Sequence, residues 1–300
     1  MYQQLISSLK AGETRSIARA ISLVENRSNG YESILEALAP NLHIPVVGFT
    51  GPPGAGKSSL VNSLVGYWAQ RGLKVAVVAV DPASPFNLGS LLGDRLRMPG
   101  LFTLSNVYIR SMSSRGSLGG LCASVIEVVD VLKNAGFDRV VVETVGVGQS
   151  EVEIAGIADT TVVLTVPESG DDVQTLKSGV MEIADIFVVN KSDRAGANKF
   201  AQFLRELSHS KAQDIEIPVI ETIATEEKGI DTLSEAIDAH VRSGIVSERR
   251  YMLLAEKIEQ LVAARRMADF NKMEVAQALK TEMNKAGFNL YLYIKTFLTK

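Results

Sequence analysis

The 300-residue chain holds a single cysteine, Cys122, set in an apolar helical stretch. One thiol cannot close an intramolecular disulfide or build a cysteine-rich metal site, so its expected role is that of a small buried hydrophobe. Histidine is scarce as well. His43, His209 and His240 stand far apart, which excludes a local imidazole cluster for metal storage. No run approaches the eighteen or so apolar residues that a membrane span needs, and Met1 to Leu9 lack the basic start and apolar stretch of a secretion signal. Charge of one sign is missing too: 31 basic and 34 acidic residues leave a formal net charge of −3, so no whole-chain field recruits nucleic acid or anionic lipid. These absences point to a cytoplasmic protein with neither nucleic acid nor membrane among its partners.

What is present is core-forming material. A hydrophobic content of 46% beside 22% charged residues can bury a large interior. Strand-like apolar runs recur at Val46 to Phe49, Lys74 to Val80, Val107 to Arg110, Arg139 to Val142, Thr161 to Val166, Ile186 to Val189 and Pro218 to Glu221. Most are continuous rather than alternating, as a parallel sheet covered on both faces requires. Between them run helical stripes, Leu60-Val61-Leu64-Val65-Trp68 and Leu121-Val125-Val128-Val129-Leu132, with Gly72 and Gly136 where those helices should stop. The expected architecture is a doubly wound α/β domain over residues 44–244, preceded by a helical extension, 1–43, and followed by a helical region, 245–300. Flanking stripes at Ile17-Ile21-Val24 and Leu254-Ile258-Leu261-Val262 could each pack on their own domain or on another subunit.

Chemistry enters at Gly51-Pro52-Pro53-Gly54-Ala55-Gly56-Lys57-Ser58, which fits GxxxxGK[ST] between a strand and a helix. Both flanks are needed, because the strand delivers the loop and the helix leaves it with its first amides aimed at phosphate. Glycines let the backbone curl inward, Lys57 reaches the terminal phosphates, and the Ser58 hydroxyl can ligate Mg²⁺. With Ser59, these residues form the expected phosphate-binding set. The run Ile186 to Val189 then ends in Asn190-Lys191-Ser192-Asp193, an NKxD arrangement. Guanine offers N1–H and an exocyclic amino group side by side, which a carboxylate at Asp193 accepts as a pair; adenine would leave that carboxylate desolvated and unpaired. Asn190 is expected to tie the base loop to the phosphate loop, and the Lys191 stem to cover one face of the ring. The backbone amide at Ala224 is the expected third base contact. The ligands read from these motifs are GTP and GDP.

Carboxylates follow two of the strand runs, Asp81 and Glu143, and Asp94 lies in a loop able to fold over the γ-phosphate. Mg²⁺ keeps several waters, so Ser58 with one or two of Asp81, Asp94 and Glu143 would hold it. Lys57 and these three carboxylates are also the candidate catalytic groups. Glu143 to Gln149 resembles a second switch segment, with the Gly146 amide placed to sense the γ-phosphate. Val147 follows that glycine and cannot orient an attacking water, so slow intrinsic hydrolysis is expected. Arg95, Arg110 or Arg115 could supply cationic stabilisation if a loop closes.

Longer strings are more specific: Val80-Asp81-Pro82-Ala83-Ser84-Pro85, Gly93-Asp94-Arg95-Leu96-Arg97-Met98, Arg115-Gly116-Ser117-Leu118-Gly119-Gly120-Leu121, and Gly170-Asp171-Asp172-Val173-Gln174. With Glu143 to Glu151, they resemble the MeaB/ArgK family, G-protein chaperones of adenosylcobalamin-dependent acyl-CoA mutases. The resemblance implies a GTPase that gates cofactor delivery to methylmalonyl-CoA mutase or a relative and protects it, usually as a homodimer. It also implies a first switch at Asp94, a second at Glu143 to Glu151 and a third at Glu168 to Lys177. Two rival functions are a P-loop kinase linked to amino-acid transport, which NKSD opposes, and a GTPase for metal-centre assembly, which the scattered histidines oppose.

Overall fold

The computed structural model describes residues 2–39, 41, 43–81, 98, 100–113, 124–144, 153–167, 182–209, 217–244, 248–267, 270–285 and 287–298. Seven strands form one sheet: β1 (Val46–Thr50), β2 (Val75–Asp81), β3 (Val107–Ser113), β4 (Arg139–Glu143), β5 (Thr160–Thr165), β6 (Ile186–Asn190) and β7 (Val219–Thr222). Among the described residues every pairing between these strands is parallel, and the order is β3-β2-β4-β1-β5-β6-β7. Each strand falls on one of the seven apolar runs.

The continuous runs resolve into two alternating faces. Val46, Ala76, Val78, Val140, Val142, Val163, Phe187 and Val189 join one core, while Val47, Phe49, Val75, Val77, Val141, Val162, Leu164 and Val188 join the other. Because successive strand side chains point to opposite faces, an unbroken apolar run is what burial on both sides demands. The first core is covered by α1 (Gln3–Lys10), α2 (Thr14–Glu25), α3 (Tyr31–Glu36), α5 (Val125–Lys133) and α6 (Ala197–His209). The second is covered by α4 (Lys57–Gln70) and α7 (Ile230–Ser243). Ile17, Ile21 and Val24 of α2 are buried in the first core, so that stripe packs within this chain.

One device recurs at the N-terminal edge of the sheet. Asp138, Asp159 and Asp185 each precede a strand, and each carboxylate accepts a backbone N–H where a neighbouring strand begins: Lys74, just before β2, at 2.7 Å, Val46 of β1 at 2.8 Å and Thr161 of β5 at 2.7 Å. The aspartate's own N–H returns to the carbonyl of that same residue at 2.8, 2.8 and 3.0 Å. Parallel strands have no hairpin turn to set their register, and these reciprocal pairs set it instead.

On the second face, α4 and α7 are joined by polar contacts set in apolar surroundings. Buried Trp68 donates its indole N–H to Ser234 Oγ at 2.8 Å. Arg139, at the start of β4, lies 4.5 Å over the Trp68 ring and pairs with Asp238 at 2.6 Å.

By its contacts the chain divides into two compact units, Met1–Met252 and Leu253–Lys300. The second contains most of α8 (Glu248–Arg266), then α9 (Lys272–Glu282) and α10 (Leu290–Leu298). Asn271 caps α9 by accepting from the amides of Met273 and Glu274, and Phe270, Tyr293 and Phe297 make edge-on ring contacts at 5.3–5.5 Å. No residue of α9 is buried. Among the described residues, no helix is long and apolar enough to cross a membrane.

Candidate nucleotide-binding site

The phosphate loop leaves buried β1 and enters α4, as the motif requires. Gly51 adopts φ +139°, and a Cβ there would stand 2.2 Å from the Leu164 carbonyl oxygen of β5. Gly56 adopts φ +91°, and a Cβ would meet Asn190 Nδ2 at 2.5 Å. Backbone conformation and close approach therefore both demand glycine at these two positions. Lys57 is buried, and its Nζ donates to the carbonyls of Gly51 at 2.7 Å and Pro52 at 3.0 Å, which holds the cation against the loop. Ala55 is buried, whereas Ser59 is exposed in the first turn of α4, where amide groups lack intrahelical acceptors.

Ser58 Oγ donates to Glu143 Oε1 at 2.6 Å. Glu143 is the last residue of β4, only 6% exposed, and in register with Phe49 on one side and Ala79 on the other. The sheet thus sets it between the origin of the phosphate loop and the end of β2, where the backbone of Asp81 lies two positions past Ala79. Thr144 pins the chain as it leaves β4, giving its N–H to Phe49 O at 3.0 Å and contacting Thr50 Oγ1 at 3.1 Å. Asp94, Gly146, Val147, Arg95, Arg115, Cys122 and the stretch Glu168 to Lys177 lie outside the described residues.

Asn190 is the junction of the site. Its Nδ2 donates to Ala55 O at 2.8 Å, 135 residues away, while its Oδ1 accepts from Thr222 Oγ1 and from the Ala224 amide, each at 3.1 Å. The side chain is 2% exposed, so these bonds form where water does not compete. Lys191 takes a left-handed backbone, φ +57°, and its Nζ reaches Gly54 O at 2.8 Å, so its stem spans the gap from base loop to phosphate loop. Asp193 is exposed two residues beyond. Nearby Lys228 is held above the ordinary lysine range, first by its bond to Glu226 and in part by the charge of Asp193.

Two expectations change. The Ala224 amide is directed at Asn190 rather than toward a free acceptor, so a base oxygen could only share it. Arg110 is not a mobile cation for hydrolysis: its guanidinium is ion-paired with Glu25 of α2. Beside that pair, burial raises the Tyr108 phenol above its ordinary range, with Arg110 opposing and Glu25 adding to the rise. The sequence gives no sign of Ser63, because a serine within a helix carries no motif. It donates to Ala224 O at 2.7 Å from the second turn of α4.

A family described as methylmalonyl-CoA mutase-associated GTPase MeaB matches residues 17–280. The chain belongs to the MeaB family. Among relatives, a Pyrococcus horikoshii protein with GTPase in its name is 46% identical over 272 residues, covering 87% of this chain and 85% of that one. The mitochondrial methylmalonic aciduria type A homolog of Mus musculus is 37% identical over 205 residues, covering 63% of this chain and 49% of that protein. A solved structure titled LAO/AO transport system kinase superposes with a TM-score of 0.71 at 27% identity, covering 99% of this chain and 97% of its own. The MeaB-family chain is accordingly a P-loop GTPase, with the seven-stranded parallel sheet of that class.

Proposed function

We propose that this MeaB-family GTPase couples its nucleotide cycle to a cobalamin-dependent acyl-CoA mutase such as methylmalonyl-CoA mutase, gating adenosylcobalamin loading and protecting the enzyme. The observation that carries the nucleotide half is the Asn190 junction, which makes one site of the phosphate loop and the NKSD segment. Support for the mutase half comes from the family match over residues 17–280 and from the switch-like strings in the sequence.

In this reading the Gly51–Ser59 amides and Lys57 hold the phosphates, and Lys57 exchanges its two carbonyl partners for phosphate oxygens. Asp193 accepts the guanine N1–H and amino group, and the Lys191 stem covers the ring. Mg²⁺ fits the donor set: the Ser58 hydroxyl and Glu143 carboxylate are adjacent hard oxygens at the end of the strand. Among the described residues no three acidic, imidazole or thiol groups converge. Such a site suits an ion completed by phosphate oxygens and water rather than a protein cage. Ser58 and Glu143, with Asp81 and Asp94, would hold the ion, whose charge offsets that developing on the phosphoryl oxygens. Because Val147 cannot orient water, intrinsic turnover is slow and a partner completes the site. The helical region over 245–300 is assigned as the dimerisation element of a homodimer. A kinase of amino-acid transport is the weaker reading, since a carboxylate shaped for guanine penalises ATP.

The test is GTP turnover and co-purification with methylmalonyl-CoA mutase, in GTP and GDP states. Turnover that rises with the mutase, and a complex that depends on the nucleotide, are expected. Unchanged turnover with no complex in either state removes the chaperone role and leaves the GTPase.

A further inference from the structure

We propose that Ser63 is a positioning residue for guanine recognition, acting through the loop that follows β7. This inference rests on the guanine reading above and adds to it a residue that no nucleotide motif includes.

Three observations carry it. Ala224 is 4% exposed, and its two backbone polar groups are held from opposite sides: the N–H by Asn190 Oδ1 at 3.1 Å and the carbonyl by Ser63 Oγ at 2.7 Å. Ser63 is itself buried and sits on α4, the helix whose first turn carries Lys57 and Ser58. Farther along, the same helix is tied to α7 by Trp68 to Ser234, and Arg139 closes the seam by covering Trp68 and pairing with Asp238. The loop between β7 and α7 therefore follows the phosphate-loop helix as one body. Within the loop the Ala224 carbonyl also accepts the Glu227 amide at 3.4 Å, and Ile223 bridges Lys228. The Ser63 hydroxyl makes the shorter bond and is the one that ties this carbonyl to α4.

Removing the hydroxyl leaves the buried carbonyl with only its longer bond from the Glu227 amide, at 3.4 Å, which favours conformations in which the loop shifts to recover a donor. Asn190 then keeps its bonds to Thr222 and Ala55 but holds the Ala224 amide less firmly, and the neighbouring Asp193 is held less closely at the right reach for the base. The phosphate loop keeps its own bonds through Lys57, so triphosphate binding that does not depend on the base should be spared.

The experiment compares the full-length wild type with Ser63→Ala, Ser63→Thr and Asp193→Asn. For each, GDP release is timed by filter binding, GTP and ATP affinities are measured by competition, and the thermal midpoint is followed. Ser63→Ala should speed GDP release and lower the GTP-over-ATP preference by roughly tenfold, with ATP affinity unchanged. Ser63→Thr, which keeps the hydroxyl, should restore both. Wild-type release and selectivity in Ser63→Ala overturn the proposal. So does an equal loss of GTP and ATP affinity alongside a lowered midpoint, which marks a merely structural serine. Should the wild type itself show no guanine preference, or Asp193→Asn leave that preference intact, the guanine reading fails and takes this inference with it. A failure confined to Ser63→Ala leaves that reading standing.

Discussion

The two ends of the one sheet carry different polar side chains and put them to opposite uses. At the N-terminal end, where parallel strands present unpaired N–H groups, the side chains are acceptors: Asp138, Asp159 and Asp185, each closed onto a neighbouring backbone. At the C-terminal end the free groups are carbonyls, and the side chains that meet them are donors: Lys57 to Gly51 and Pro52, Asn190 to Ala55, Lys191 to Gly54. Donor-rich surroundings with a helix N-terminus among them suit an anion; the acceptor-rich end, saturated by its own backbone, offers one nothing. An aspartate before a strand thus registers the sheet, whereas the glutamate that ends β4 meets the phosphate loop through Ser58.

Substitutions at the two ends should separate binding from stability. Lys57→Ala is expected to have the largest effect, a loss of roughly a hundredfold or more in GTP affinity by calorimetry with the unfolding midpoint little changed. Asp193→Asn should come next, reducing the preference for GTP over ATP by roughly ten- to a hundredfold in competition assays. If discrimination is unaltered, Asp193 does not read the base.

Opposite behaviour is expected of Asp159→Ala. It strands the Val46 amide and deprives the largely buried Lys133 of an ion-pair partner at 3.7 Å, so urea unfolding should lose about 2 kcal/mol while GTP affinity stays within about twofold. A fall in affinity without a fall in stability would contradict the division between the ends.

The smallest effect belongs to Asp185, whose carboxyl is raised above the usual carboxylate range by burial, against the opposing Thr161 amide and His240. A carboxyl raised in the folded state contributes stability when protonated and loses that contribution as pH climbs through its folded value. Asp185→Asn, which keeps an acceptor for Thr161, should therefore gain on the wild type as pH rises from the acid side toward neutrality. A pH-independent difference in urea midpoints would show that burial at this position costs the carboxylate nothing.

Much of this was legible in the residues. Seven apolar runs became seven strands because burial on both faces leaves little else that Val, Ile and Phe in sequence can do, and the phosphate loop and NKSD declared themselves by local spacing. What escaped depends on partners remote in the chain. Arg110 looked like a free cation because Glu25 stands 85 residues earlier on a helix whose docking onto β3 no local pattern reveals. Ser63 was invisible because its acceptor is a backbone carbonyl 161 residues on. The stripe Leu254-Ile258-Leu261-Val262 lies on a helix as its spacing implies, yet Ile258, Leu261 and Val262 remain 61%, 42% and 45% exposed. Periodicity tells which face of a helix is apolar and says nothing of what covers it.

Trp68 is the only tryptophan in the chain, and its indole sits where α4 meets α7, capped by a guanidinium and bonded to a serine. All intrinsic emission excited at the red edge of protein absorbance must come from that one seam. The molecule therefore carries its own optical gauge: a change in intensity or wavelength upon exchange of GDP for GTP would report movement between the helix that bears the phosphate loop and the one that follows the base loop, with no dye attached.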